Sequence, residues 1–287
     1  MKNEQKFSQK SLLQKRVSRY VTMALILITV IACDNDKAGL PTVNPVDSLV
    51  IVDFYNSMGG EKWPGEYSMW DLRDPATWHG IQLELAESGL KVVKGIHLDF
   101  KLEASGCYIP ESIGRLKYLS SFEIENFSCL SGKLPESLFD CPLESLIIKN
   151  VECLVGPLSP KIEKLKETLC FLEIENCPNF GGVIPPELGA CRKACVSLSG
   201  CGFYGYLPFE VTYLLRSGFN NNHLTSIDWR FFTDSEAYLP PMKNNDFSGN
   251  VPDEVLSLPK WKKHARYCFL PFNEGYGFCN VTLKPLD

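Results

Sequence analysis

Twelve cysteines, four histidines and 34 carboxylates are the side chains of this chain able to hold a metal, act as nucleophiles or move a proton. Their spacing decides which of those tasks is open. No Cys-x-x-Cys occurs, and His79, His97, His223 and His264 are scattered, so a metal site has nothing to stand on. There is no G-x-S-x-G, no Gly-rich phosphate loop and no H-E-x-x-H. The residues predict no enzyme and no cofactor. Some of the carboxylates, however, recur. "SSFEIENFSCLSGKLPESL" (120–138) and "CFLEIENCPNFGGVIPPEL" (170–188) place Glu123, Glu125, Glu173 and Glu175 in two copies of one phrase. Carboxylates gathered on one surface would attract a cationic partner.

The element that would gather them is a repeat. Apolar-x-apolar triplets begin at Ile96, Phe122, Leu146, Leu172 and Val196, with weaker ones at Ser217 and Pro240. Most are followed by Gly and then an aliphatic residue beside Pro, as in Gly132-Lys133-Leu134-Pro135 and Gly182-Val183-Ile184-Pro185. The aliphatic anchors at 109, 134, 158, 184, 207, 227 and 251 step by 25, 24, 26, 23, 20 and 24. A period near 24 is that of a stacked array. One unit is too small to bury its apolar side alone. Stacked, the triplets form a parallel ladder of short strands, the Gly permits a sharp turn, and the Pro opens the next segment without needing a donor. Leu146, Ile148, Leu172 and Ile174 should then be buried by neighbouring coils.

"NNDFSGNVPDEVLSL" (244–258) resembles the plant-like leucine-rich repeat, L-x-x-L-x-L-x-x-N-x-L-x-G-x-(I/L)-P, which also occurs in bacterial secreted proteins. "DSLVIVDFYNSMGGEKW" with "TWHGIQLE" resembles the N-terminal cap of the bacterial version, and "PKWKKHARYCFLPFNEGYGF" a C-terminal cap. The resemblance implies an α/β repeat solenoid, an arc with short parallel strands on its concave face and a helical N-terminal cap. It implies a cap over 47–95, about seven repeats over 96–257 and a second cap over 258–287. The family's repeat carries an Asn whose amide satisfies turn backbone groups. Only Asn222 and Asn245 fill that place; Phe127, Val151, Cys177 and Cys201 hold it elsewhere. Irregular stacking is therefore expected in units two to five, with Asn126, Asn150 and Asn176, one place early, pointing elsewhere. Cys129 and Cys153, and likewise Cys177 and Cys201, fall 24 apart in register. They are within disulfide reach or act as small apolar filler, filler being favoured for 177 and 201. Cys268 and Cys279 flank the C-terminal cap as a possible disulfide.

In such a ladder the residues between and after the buried ones point outward: His97 and Asp99, Glu123 and Glu125, Ile147 and Lys149, Glu173 and Glu175, then Ser197 and Ser199. Five of the first eight are acidic. With coils ~5 Å apart the two glutamate pairs lie ~10 Å from each other, about one Debye length at moderate salt. Phe100, Phe127 and Ile147 lie in or near the stripe as apolar anchors. Trp63, Trp70 and Trp78 read as aromatics covering the end of the core, and otherwise as a sugar-stacking platform.

Residues 1–32 form a separate object. Six basic residues precede the apolar run Val21 to Ala32, which is the length of a signal h-region rather than of a membrane span. It ends in "VIAC", which resembles the bacterial lipobox and implies lipid attachment at Cys33. "DNDK" beside it resembles a surface-export tag. Residues 33–46 read as a tether. Loss of the leader, with six basic residues and one acidic, takes the formal charge from −5 to −10, which argues against nucleic acid. The expected protein is lipid-anchored in a bacterial outer membrane or at the cell surface, touching the membrane through that lipid only. Its solenoid binds another protein, one with basic character. The alternative is a carbohydrate-binding accessory lipoprotein with glycan stacked on the Trp residues or on Tyr204, Tyr206 and Tyr213.

Overall fold

The computed structural model describes residues 42–102, 106–128 and 130–284. The leader, Cys33 and Cys129 lie outside the described residues. Helix α1 (Pro45–Ser57) opens the described part. Asn44 caps it, its Oδ1 accepting from the Val46 N–H at 2.9 Å, and Pro45 sits where no donor is needed. Gly59, at φ 71°, ends it. The buried Asp47 ties the helix to the sheet by accepting from the Val93 N–H at 2.9 Å. Burial pushes the Asp47 carboxyl above the usual range despite that bond.

Ten strands follow among the described residues. They are β1 (Ile81–Leu85), β2 (Lys91–Asp99), β3 (Ser121–Glu125), β4 (Ser145–Lys149) and β5 (Phe171–Glu175), then β6 (Gly181–Gly182), β7 (Cys195–Ser199), β8 (Gly202–Leu207), β9 (Arg216–Gly218) and β10 (His223–Ile227). Three helices close the chain: α2 (Arg230–Thr233), α3 (Asp253–Ser257) and α4 (Pro259–Phe269). One sheet runs in the order β1-β2-β3-β4-β5-β7-β9 and a second in the order β10-β8-β6. Apart from the antiparallel β1–β2 hairpin, the strands of both sheets pair in parallel.

The triplets account for the first sheet. In β3, β4, β5 and β7 the second and fourth residues point inward and the others outward, the period of two that an extended chain imposes. Phe122, Ile124, Leu146, Ile148, Leu172, Ile174 and Leu198 are fully buried, each over its counterpart in the next coil. After the earlier aliphatic-Pro anchors the chain takes a short 3-10 turn, as at Glu111–Arg115, Glu136–Asp140 and Pro186–Ala190, and after Val251-Pro252 the α-helical turn α3. Pro240 and Pro241 lack the N–H a strand needs, so the first sheet stops at β9. The ladder itself continues, the Phe219 N–H donating to the Pro241 carbonyl at 2.8 Å. A last coil then covers the stack, with Met242 donating to the Cys268 carbonyl at 2.8 Å and Trp229, Trp261, Phe269 and Phe278 packed together.

The irregular stacking expected of units two to five is not found. β3, β4, β5 and β7 pair in unbroken register. The bonding runs on through the turns, Asn126, Asn150 and Asn176 donating their N–H groups to the carbonyls of Lys149, Glu175 and Ser199 at 2.9–3.0 Å. These three take left-handed φ values of 55–61°, a conformation Asn tolerates better than other residues with a Cβ. Their amides form an outer ladder: Asn126 donates to Asp99 Oδ1 (2.6 Å), Asn150 to Asn126 (2.9 Å) and Asn176 to Asn150 (3.0 Å).

Candidate functional site

Parallel pairing sets the outward residues of the first sheet in columns. His97, Glu123, Ile147, Glu173 and Ser197 form one, and Asp99, Glu125, Lys149, Glu175 and Ser199 the next. The eight residues singled out from the sequence thus share one surface on four adjacent strands. Phe171, at the head of β5, adds an apolar side chain to the same surface and is half exposed. Of the expected anchors, Ile147 is half-buried on this face, whereas Phe127 is fully buried and Phe100 packs against it with ring centroids 4.9 Å apart. Phe127 follows the turn after β3, where the chain has left the face, so it belongs to the core.

The face is not a bare row of negative charge. Glu123 is held by His97 Nδ1 (3.0 Å), by the Ser121 hydroxyl (2.8 Å) and by the Ser145 hydroxyl (3.4 Å). Partial burial pushes its carboxyl up, but the bonds from Ser121 and His97 outweigh this and hold it below its ordinary range. Lys149 Nζ lies 2.5 Å from Glu173 Oε2, and that bond raises the ammonium above its usual value. Glu175 accepts from the Ser197 hydroxyl at 2.5 Å. These contacts fix Glu123, Glu173 and Glu175 in place and leave the surface net negative. A serine, a glutamate and a histidine meet here, but the carboxylate stands between the other two. The trio holds the Glu123 carboxylate in place on the face. Among the described residues no group of three or more His, Cys, Asp or Glu is placed to hold a metal ion.

The sugar platform built on tryptophan does not form. Trp63, Trp70 and Trp78 are 2%, 8% and 3% exposed. Their indole N–H groups donate to the carbonyls of Met58, His79 and Asp71. Tyr204, Tyr206 and Tyr213 are exposed, the first two on β8 of the second sheet. Asp228 accepts from the Tyr206 hydroxyl (2.7 Å) and from the Arg230 guanidinium (2.6 and 2.9 Å). That guanidinium holds the Asp228 carboxyl down at about 2, while burial and Asp228 push the Tyr206 phenol up to about 12.

Cys268 and Cys279 are both free thiols. Cys268 faces the core from α4 and Cys279 is exposed, so the disulfide expected between them is absent. Cys177 and Cys201 are also free and buried. Each thiol donates to a carbonyl of the preceding coil, Cys177 to Ile148 (3.8 Å) and Cys201 to Ile174 (3.3 Å). This filler use is the one favoured from the sequence.

Solved structures resemble this arrangement. The leucine-rich repeat ectodomain of the plant membrane receptor kinase GASSHO1/SCHENGEN3 from Arabidopsis thaliana, solved with CASPARIAN STRIP INTEGRITY FACTOR 2, superposes with a TM-score of 0.59 at 22% identity. It covers 73% of this chain, which spans 25% of that one. The fold is a leucine-rich repeat solenoid. A plant ice-binding protein gives 0.58 at 19% identity, over 73% of this chain and 66% of its own. The ectodomain of the Arabidopsis thaliana receptor kinase SOBIR1 gives 0.51 at 18%, over 66% of this chain and the whole of its own. No protein-family model and no curated protein matches the sequence. These likenesses fix the leucine-rich repeat architecture, with its parallel ladder, and leave its ligand to be argued from the residues of the face.

Proposed function

We propose that this leucine-rich repeat protein binds another protein through the outward face of β2 to β5, and that the partner presents a basic segment. The observation that carries the reading is the gathering of Asp99, Glu123, Glu125, Glu173 and Glu175 on β2, β3 and β5 of one sheet face, beside Ile147 of β4 and the exposed Phe171. Fixed carboxylates around an apolar anchor suit a chain carrying Lys or Arg next to an aliphatic or aromatic residue. The GASSHO1/SCHENGEN3 ectodomain was solved in complex with CASPARIAN STRIP INTEGRITY FACTOR 2, which supports a ligand-binding role for this fold. Probing an array of immobilised basic, neutral and acidic peptides with the purified protein tests the reading. Retention on basic spots, lost in Glu123→Gln/Glu125→Gln/Glu173→Gln/Glu175→Gln, is expected. Equal retention of the quadruple variant returns those residues to a solvated surface.

In the same proposal, Cys33 carries lipid and the residues after it tether the repeat to a bacterial outer membrane or cell surface; the tether expected over 33–46 stops short of Val43, which bridges Lys91, and of Pro45, where α1 begins. Helix α1 and the buried Trp63, Trp70 and Trp78 that follow it serve as the N-terminal cap. Labelled fatty acid should mark the wild type and not Cys33→Ser. One observation favours a second reading, in which glycan stacks on the exposed Tyr204, Tyr206 and Tyr213. A glycan array on which Tyr204→Ala and wild type behave alike would dismiss it.

A further inference from the structure

Charge is sorted along the stack. The outward face of β2 to β5 carries five carboxylates against Lys149, and β7 brings the neutral Ser197 and Ser199. The coils beyond bring the exposed Arg216 and Lys243. Helix α4 then adds Lys262, Lys263 and Arg266 on its solvent side, because Trp261, Ala265, Cys268 and Phe269 occupy its buried side. Among the described residues these three cations make no ion pair; Arg266 only lies over the Tyr267 ring, 5.8 Å from its centroid. In a chain of formal charge −5, an unpaired cationic helix face is built for an anionic surface.

The anionic surface this fold offers is its own sheet face. Within one molecule the two do not meet: α4 belongs to the coil that covers the far end, where Cys268 accepts from Met242. β3 lies six coils back, roughly 30 Å at the spacing of neighbouring strands. A bilayer suits α4 poorly. Its solvent side exposes Tyr267 but no aliphatic side chain, and Trp261 and Phe269 are committed to the core. We propose that the basic end of one copy, formed by Lys262, Lys263 and Arg266, docks on the acidic sheet face of a second copy. This rests on the reading that the face binds basic segments. The contact is heterologous. Every docked copy leaves its own acidic face free, so association is open-ended and rises with concentration.

Sedimentation of the purified full chain over a concentration series, at low and at physiological salt, tests this. The expected result is a weight-average mass that grows with concentration at low salt and returns to one chain as screening shortens. K262E/K263E/R266E should weaken the association at least about tenfold. A chain carrying that reversal together with E125K and E175K should associate again, which a general loss of folding would not allow. One-chain mass at every concentration in low salt, or association that survives the triple reversal, overturns the proposal. So does a one-chain mass together with sedimentation on phosphatidylserine vesicles that the same reversal abolishes, which would hand the helix to a lipid surface. A protein that stays single yet is retained on basic peptides loses only this inference; one that does neither loses the reading beneath it as well.

Discussion

Two parts of the same stack keep one register by different means. In the later coils, Asn222 and Asn245 are buried and their amides work in both directions. Asn245 Nδ2 donates to the carbonyls of Phe219, Met242 and Lys243 at 2.9–3.3 Å, and its Oδ1 accepts from the Leu224 N–H at 2.9 Å. Asn222 repeats the pattern one coil back. In the earlier coils the equivalent place holds Cys201, Cys177, Val151 and Phe127. The two thiols reproduce the donor half, each reaching a carbonyl two residues back and one in the preceding coil. They offer nothing as strong on the acceptor side, and Val151 and Phe127 offer neither half. Yet β3, β4, β5 and β7 pair without a slip. Backbone pairing and apolar stacking therefore suffice to set the register, and the amide becomes necessary where prolines have thinned the strand ladder.

That contrast can be broken at single residues. If apolar stacking carries the early coils, Leu172→Ala should cost ~2–5 kcal/mol in chemical unfolding, and a variant as stable as wild type would show that the core lies elsewhere. Asn245→Ala withdraws the amide from the Leu224 N–H and the Met242 carbonyl. At ~1–3 kcal/mol for a buried group left unsatisfied, the loss should be about 3 kcal/mol in the same measurement. Cys201→Ala removes only a weak donor and a small volume, and about 1 kcal/mol is expected. Equal losses at 245 and 201 would erase the distinction between the two parts. The smallest effect is at the surface. The Asp228 carboxyl is held down at about 2, first by the hydrogen bond from Arg230 and then by Tyr206. A lowered carboxyl stabilises the fold above its unfolded value, ordinarily about 3.9, and the gain is lost as pH falls toward the folded value. The stability gap between wild type and Asp228→Asn should close between those two pH values and stay flat above them.

The inward residues were legible because a strict period repeats itself: Leu146, Ile148, Leu172 and Ile174 follow from the triplets alone. The outward columns follow from the same alternation, which by itself sets His97 through Glu175 on one surface. Pairing within that surface was not legible, since whether Lys149 leans to Glu173 or Glu175 depends on rotamers across neighbouring strands. The outer ladder of Asn126, Asn150 and Asn176 left a trace, an Asn one place before each buried position. Its meaning lies in a left-handed φ that residue type suggests but does not announce. Cys268 and Cys279 misled because their nearness in sequence says nothing of direction, and α4 turns one of them into the core.

The most direct test of the account is the salt dependence of binding to the sheet face. A fluorescent peptide carrying several Arg and Lys around one Phe, titrated with wild type and with the quadruple Glu→Gln variant, supplies it. The account predicts wild-type affinity that falls steeply as salt rises, and a variant at least about tenfold weaker at low salt with a flattened salt slope. Matching affinities and matching slopes for the two proteins would contradict it.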